Sequence, residues 1–335
     1  MFNNADSETT TFFADAALFD MDGTLTDSIA AVEAAWGKVA LDIGQDPAFV
    51  IAATHGKRAV DNLAQFKPHI KAHEMDAEVQ AFEESILFFA DAYSKHGPGS
   101  REPSPLSSGG ATPSLASSSS STLSSPAGSF SSPRPGFLRR VSNRLALLTA
   151  EGATIEDIEF EEVSAPAIDW RTELEQKRDV FAAWQIEAAA VDRSVRILPG
   201  VKALMDSIPE GRYAVATSGA KTYAYGCMTR VGITPPAITI TADDKRLKAG
   251  KPAPDPFLLA ASELGYAAQR CVVFEDSPSG IRAGVASGAI VVAVCTSHER
   301  SRIEDCGAHF IIDTMEQVRV DVDGDDLRFT VTERR

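Results

Sequence analysis

The sequence predicts an α/β fold: a parallel sheet flanked by helices, with a helical cap inserted after its first strand. Three observations lead there. Short apolar runs at 15–20, Tyr213–Thr217, Ala237–Ile240, Cys271–Phe274, Ile290–Val294 and Phe310–Ile312 read as buried strands, with helical patterns between the later ones; such alternation builds parallel sheets. The first run stands apart from the rest, which resume only near 198, and the ordered parts of the gap carry helical periodicity. Finally, several runs end in polar or acidic side chains, where open α/β sheets bind their ligands.

Taken in order, residues 1–14 read as a short polar tail and 15–20 as the first strand. From about 28 to 95 apolar residues recur at three and four spacing (Ile29, Val32, Trp36, Val39, Ala40; Val79, Phe82, Ile86, Phe89), the stripe of amphipathic helices. Fifteen of the thirty-nine residues from 98 to 136 are serine, with many prolines and glycines. Such a segment buries too little apolar surface to offset its ordering entropy, so disorder is expected there. "FLRRVSNRLALL" (137–148) has the pattern of a short basic amphipathic helix, and 149–165 is acidic and loose. Helix is expected again over about 170–190, and alternation around "DGDD" at 317–331 predicts a terminal hairpin. The resulting division is a tail (1–14), a core (15–29 and 193–335), a helical cap (30–95 and 166–192) and a Ser/Pro-rich disordered insertion (96–165) within the cap region.

Composition bounds the function. With 335 residues and 44% hydrophobic content the chain can bury a substantial core in two modest units. A net charge of −15 argues against nucleic acid and anionic membranes as partners, since phosphate polymers need a basic surface. A small phosphorylated ligand needs only a local cation. The four cysteines form no CxxC pair and read as reduced packing thiols. "MFNNADSETTTFF" lacks the basic and apolar regions of a signal peptide, and no apolar run reaches the roughly 18 residues of a membrane span. A cytoplasmic protein is the expectation.

Four strand ends offer chemistry. They are Asp20-Met21-Asp22-Gly23-Thr24; Thr217-Ser218-Gly219; Lys251 in "KAGKPAPDPF"; and Glu275-Asp276 in "VVFEDSPSG". Acid pair, hydroxyl, lysine and acid pair form a coherent set for phosphoryl transfer. Carboxylates hold Mg²⁺, lysine and backbone N–H groups neutralise phosphate oxygens, and one carboxylate attacks phosphorus.

The ordered set "DMDGTLTDS … ATSG … GKPAPDPF … FEDSPSGIRAG" resembles the four motifs of the haloacid dehalogenase (HAD) superfamily. The resemblance implies a Rossmann-like core with a C1-type helical cap and a Mg²⁺-dependent phosphomonoester hydrolase. Asp20 resembles its nucleophile. Asp22 resembles the acid and base, with its backbone carbonyl on the metal. Thr217 and Lys251 match the phosphate-binding hydroxyl and lysine, with Ser218 and Gly219 beside them as substrate contacts. Asp276 matches a Mg²⁺ ligand, and Glu275 a ligand or its neighbour. Within the superfamily, "THGKRAVDNLAQFKP", "ITADDKRLKAGKPAPDPFLLAA" and "VRVDVDGDDLRFTV" resemble the fungal glycerol-3-phosphatase and 2-deoxyglucose-6-phosphate phosphatase group. That implies a small polyol or sugar phosphate as substrate. It also implies that His55 and Arg58 read it from the cap, with Asp61 bracing their loop or capping a helix. Which ester, and which oligomeric state, both stay open.

Other features are weighed on their residues. "DVDGDD" (321–326) lacks glycine at position six of a calcium loop and has Thr332 at position twelve, so a hairpin turn is expected. Arg139–Ser142 fits a basophilic kinase site, and Ser104-Pro105, Ser125-Pro126 and Ser132-Pro133 fit proline-directed ones; phosphate at Ser142 would remodel 137–148 near the cap. Asp27 is assigned to the hinge into the cap. Two rivals stand beside the phosphatase reading. One is a sugar phosphomutase of the β-phosphoglucomutase type. The other is a regulatory binding protein that recruits partners through the serine-rich insertion.

Overall fold

A computed structural model describes residues 7–97 and 184–334. The serine-rich tract, the 137–148 segment, every kinase pattern including Ser142 and the first part of the helix expected at 170–190 lie outside the described residues.

The central sheet has six parallel strands in the order β6-β5-β2-β7-β8-β9. They are β2 (Ala16–Phe19), β5 (Tyr213–Ala216), β6 (Thr239–Ile240), β7 (Cys271–Glu275), β8 (Ile290–Val294) and β9 (Phe310–Ile312). The period of two splits each strand between two cores. Ala17, Phe19, Val272 and Phe274 face one; Ala16, Leu18, Cys271 and Val273 face the other. Every residue of β2 and β7 is buried, as a strand covered on both faces requires. Stacking of Phe19 on Phe274, with ring centroids 5.0 Å apart, sits at the centre; burying such a side chain stabilises the fold by about 1.5–3 kcal/mol. β6 is shorter than the expected Ala237–Ile240: it is an edge strand that follows Pro235 and Pro236, with Thr239 and Ile240 in register with β5 and the Ile238 carbonyl accepting from the Val215 N–H at 3.1 Å.

The cap follows β2. Its helices are α1 (Ile29–Asp42), α2 (Pro47–Thr54), α3 (Ala59–Phe66) and α4 (Met75–His96). Trp36 of α1 meets Phe82 of α4 at 4.1 Å between ring centroids. The returning chain is helical at 184–190, where Trp184 stacks on Phe88. Entry and exit are joined by a two-stranded ribbon, β3 (Thr26–Asp27) against β4 (Arg196–Ile197). Asp27 therefore lies in the crossing between core and cap. Back in the core, α5 (Val201–Ser207), α6 (Lys221–Arg230) and α7 (Asp255–Leu264) alternate with the strands.

The polar tail expected at the N-terminus is corrected by the structure. β1 (Ser7–Ala14) pairs antiparallel with β11 (Asp326–Arg334), which pairs in turn with β10 (Val318–Asp323). The expected hairpin is thus two strands of a three-stranded sheet. Threonines 9 to 11 look like tail composition, yet they are β-branched and suit a partly solvated sheet face. Phe12 supplies the anchor, stacking on both Phe310 and Phe329. Among the described residues no helix is long and apolar enough to cross a membrane.

Candidate active site

Three neighbouring strands, β5, β2 and β7, deliver polar groups to one end of the sheet. Asp20 follows β2, Thr217 follows β5, and Glu275 closes β7 with Asp276 next. Lys251 arrives from the loop between β6 and α7, a helix with Asp255 and Pro256 in its first turn. Its ammonium donates to Asp20 Oδ1 at 2.5 Å and to Glu275 Oε1 at 2.8 Å, with all three side chains buried. Glu275 Oε2 accepts from the N–H groups of Asp276 and Ser277, each at 2.8 Å, and from the Ser277 hydroxyl at 3.1 Å. Both oxygens of Glu275 are thus engaged.

Asp276 accepts from Thr24 Oγ1 at 3.3 Å and from the Ser297 hydroxyl. Gly23 lets this carboxylate come so close: a Cβ there would overlap it, and the residue has φ +80°. Asp22 Oδ1 accepts from the Ser28 hydroxyl and from Tyr223 Oη at 2.5 Å. Thr217 is 2% exposed and accepts from the Gly219 N–H at 3.0 Å, beneath the loop that presents Ser218 and Gly219 to the cavity.

The electrostatics follow from crowding four carboxylates around one ammonium. Burial pushes Asp20 up to about 7; Lys251 opposes the rise while Glu275 and Asp22 add to it. Burial raises Asp276 well above the carboxylate range, reinforced by Glu275 and Asp20. Burial also raises Asp22, against the hydrogen bonds from Ser28 and Tyr223. For Lys251 burial disfavours the charge, but Asp20 and Glu275 outweigh it and hold the ammonium above the usual lysine range.

The cap closes over this floor. Ile29, Val32, Trp36, Phe82 and Ile86 form an apolar wall above Asp20, Asp22 and Lys251. The loop after α2 docks on the core: Ser218 Oγ donates to the Gly56 carbonyl at 3.2 Å, and the ring of His55 meets that of His298 at 4.5 Å. His55 and Lys57 line the cavity. Arg58 does not. It makes a bidentate pair with Asp61 at 2.8 and 3.0 Å and packs across Gly250, next to Lys251. So Asp61 does brace the loop, by taking up the guanidinium expected to meet substrate.

The family model of the haloacid dehalogenase-like hydrolases matches residues 14–288. The chain belongs to the haloacid dehalogenase-like hydrolases. Hexitol phosphatase A of Escherichia coli is 26% identical over 305 residues, covering 90% of this chain and 92% of that protein. 2-Deoxyglucose-6-phosphate phosphatase 1 of Saccharomyces cerevisiae is 26% identical over 319 residues, covering 92% and 91%. Glycerol-1-phosphate phosphohydrolase 2 of the same yeast is 33% identical over 138 residues, 38% of this chain and 54% of that one. The fold is shared with β-phosphoglucomutase from Clostridium difficile, at TM-score 0.52 and 16% identity over 91% of this chain and 93% of that one. The family resemblance read from the motifs holds.

The residues of this haloacid dehalogenase-like hydrolase fit a hard divalent cation. Oxygens of Asp20, Glu275 and Asp276 lie within 4.8 Å of one another. With Asp22 they bring four carboxylates against one buried ammonium, a deficit that a divalent ion with oxygen ligands would relieve. Three groups that hold these carboxylates were not singled out in the sequence: Ser28, Tyr223 and Ser297. Ser28 closes the quoted "DMDGTLTDS" motif, and Tyr223 lies on the same strand-loop-helix unit as Thr217-Ser218-Gly219.

Proposed function

We propose that this hydrolase cleaves phosphate monoesters of a small polyol or sugar, with Mg²⁺ and through a phosphoryl group carried on Asp20. The observation that carries the reading is the pair of unlike carboxylates: Asp20 bound to Lys251 at 2.5 Å, and Asp22 held through one oxygen by two hydroxyls. Relatives named for hexitol and 2-deoxyglucose 6-phosphate, each matched over about nine tenths of this chain, support the substrate class.

Asp20 attacks phosphorus in line as the bond to the leaving oxygen breaks. Lys251, the Thr217 hydroxyl and backbone N–H groups of the loops after β2 and β5 take the phosphoryl oxygens. Ser28 and Tyr223 occupy Oδ1 of Asp22, which leaves Oδ2 to carry the proton given to the leaving alkoxide. The resulting Asp22 carboxylate then takes a proton from water, whose oxygen attacks the aspartyl-phosphate and frees Asp20 and inorganic phosphate. Asp20 and Asp276 side chains with the Asp22 carbonyl would hold Mg²⁺; Glu275, engaged by Lys251 and three further donors, positions the lysine instead. Bound Mg²⁺ supplies charge that stabilises the phosphoryl oxygens and keeps Asp20 ionised while Asp22 stays partly protonated. The apolar cap wall excludes bulk water until the ester bond breaks.

Phosphate release from polyol and sugar phosphates, with and without Mg²⁺, tests the reading. Asp20→Asn should lower turnover by at least roughly 10³-fold while circular dichroism stays native. Substantial residual turnover in that variant overturns the assignment of the nucleophile.

A further inference from the structure

We propose that Glu83 is a specificity-determining residue whose carboxyl group reads a hydroxyl on the organic part of the substrate. The inference rests on the hydrolase reading above and extends it to the group that distinguishes a polyol ester from a plain one.

Glu83 lies on α4 in the cap, is 2% exposed, and lines the cavity that holds Asp20 and Asp22. Its Oε1 accepts the N–H of Ala220 at 2.5 Å, at the N-terminus of α6. Its Oε2 is buried and has no hydrogen-bond partner among the described residues. Capping α6 engages the carboxylate through the Ala220 N–H, with the Tyr223 N–H also favouring its charged form, yet Oε2 makes no hydrogen bond of its own among the described residues. A buried carboxylate oxygen without a donor costs free energy, and native interiors rarely keep one without use.

The surroundings say what use. The wall beside Glu83 is apolar, through Phe82, Ile86 and Trp36. Thr54, which also lines the cavity from the cap, already donates its hydroxyl to Val50 and Ile51 carbonyls. Lys57 turns its ammonium to the Ala53 carbonyl at 2.9 Å. The other ionisable groups that line the cavity from the cap with no backbone partner named above, Glu33 and His55, are only half-buried, so Glu83 offers the buried acceptor on this wall. With phosphate held at Asp20 and Lys251, the alcohol portion of the ester extends toward the cap. There an O–H donor finds Oε2 and forms a charge-assisted hydrogen bond. Burial raises Glu83 to about 7, so near neutrality the group is available in both protonation states to a hydroxyl, which donates as readily as it accepts.

The experiment compares wild type, Glu83→Gln and Glu83→Ala on glycerol phosphate, a hexitol phosphate and phenyl phosphate, which has no hydroxyl on its organic part. Glu83→Ala should lower kcat/KM on the hydroxylated esters by about 30-fold, chiefly through KM, and change phenyl phosphate by less than about threefold. Glu83→Gln keeps the shape and the Ala220 bond, and should recover most of the loss. Equal losses on both substrate classes would make Glu83 merely structural and overturn the proposal alone. Wild type inactive on every ester overturns it together with the hydrolase reading. Should Glu83→Ala fail to fold, Glu83→Met, which fills the same space without an acceptor, decides: an unchanged ratio of hydroxylated to phenyl activity, against wild type, sinks the proposal.

Discussion

Asp20 and Asp22 are the same residue type two positions apart, and their surroundings make them different acids. Asp20 shares a proton-rich partner, Lys251, while Asp22 touches only hydroxyls, Ser28 and Tyr223. Tyr223 is buried and its own ionisation is suppressed by that burial and by Asp22, so it stays a donor across the working pH range. Tyr223→Phe should therefore lower kcat by about tenfold with KM within about twofold, since it loosens the acid that acts as the ester bond breaks, within the roughly 10²–10⁴-fold that such an acid supplies. Steady-state kinetics with one good substrate checks it. Gly23 matters for a different reason, since its missing Cβ is the space the Asp276 carboxylate fills. Gly23→Ala should cost about 10²-fold in kcat, the usual penalty for displacing a reacting or charge-bearing group by about an ångström, and raise the Mg²⁺ concentration for half activity. The residues that a motif fixes were legible in the sequence: Asp20, Asp22, Lys251 and Asp276 converge at one end of the sheet, as expected. Ser28, Tyr223 and Ser297 were not, because their role depends on which side chain the fold brings beside them. Arg58 is placed by its neighbour rather than by the motif. Its type suits phosphate, but Asp61 three residues on takes its guanidinium.

At the scale of elements, the cap meets the core through the β3–β4 ribbon, the His55–Gly56 loop and the packing of α4 on α6, where Arg230 pairs with Asp91 and Glu83 accepts the Ala220 N–H. Glu83 sets a measurable cost for that seam. Its ordinary carboxyl value is raised to about 7 by burial, helped by Asp243 and Asp22 and opposed by the Ala220 and Tyr223 N–H groups. A folded-state value above the unfolded one means the native state holds the proton more tightly. The stability it contributes is complete below about pH 4.5 and is lost as pH rises toward 7. Glu83→Gln should therefore match wild type near pH 5 and exceed it at pH 8 by up to about 3 kcal/mol, since a difference of one pH unit between the folded and unfolded carboxyl is worth about 1.36 kcal/mol. Denaturant unfolding of metal-free protein at the two pH values checks this; equal stabilities at pH 8 would refute it. The elements themselves were largely legible. Apolar runs alternating with helical patterns gave the six parallel strands, and three-four spacing gave α1 and α4. The exception was β1, whose threonine-rich face reads as tail when seen alone; only its pairing with β11, at the far end of the chain, makes it a strand.

For the whole molecule the decisive quantity is charge. The chain carries −15 overall, and its site repeats that excess locally, with Asp20, Asp22, Glu275 and Asp276 around Lys251. A phosphate ester brings further negative charge to this place. The fold concentrates the repulsion there, where loops from distant parts of the chain, around residues 20, 217, 251 and 276, are held together. A cation at Asp20 and Asp276 would relieve that repulsion and tie the end of β2 to the end of β7, so its binding should stabilise the whole core rather than one loop. At one hundred times its dissociation constant Mg²⁺ should add about 2.7 kcal/mol to unfolding, read as a rise in thermal midpoint at constant ionic strength. Asp276→Asn should remove most of that rise while starting from an equal or higher midpoint without metal, because it also removes one of the crowded charges. Calcium, with its looser geometry, should protect against heat without restoring full turnover. A Mg²⁺-dependent shift that survives Asp276→Asn undiminished would place the ion away from these carboxylates, and the charge deficit at the site would then need another partner.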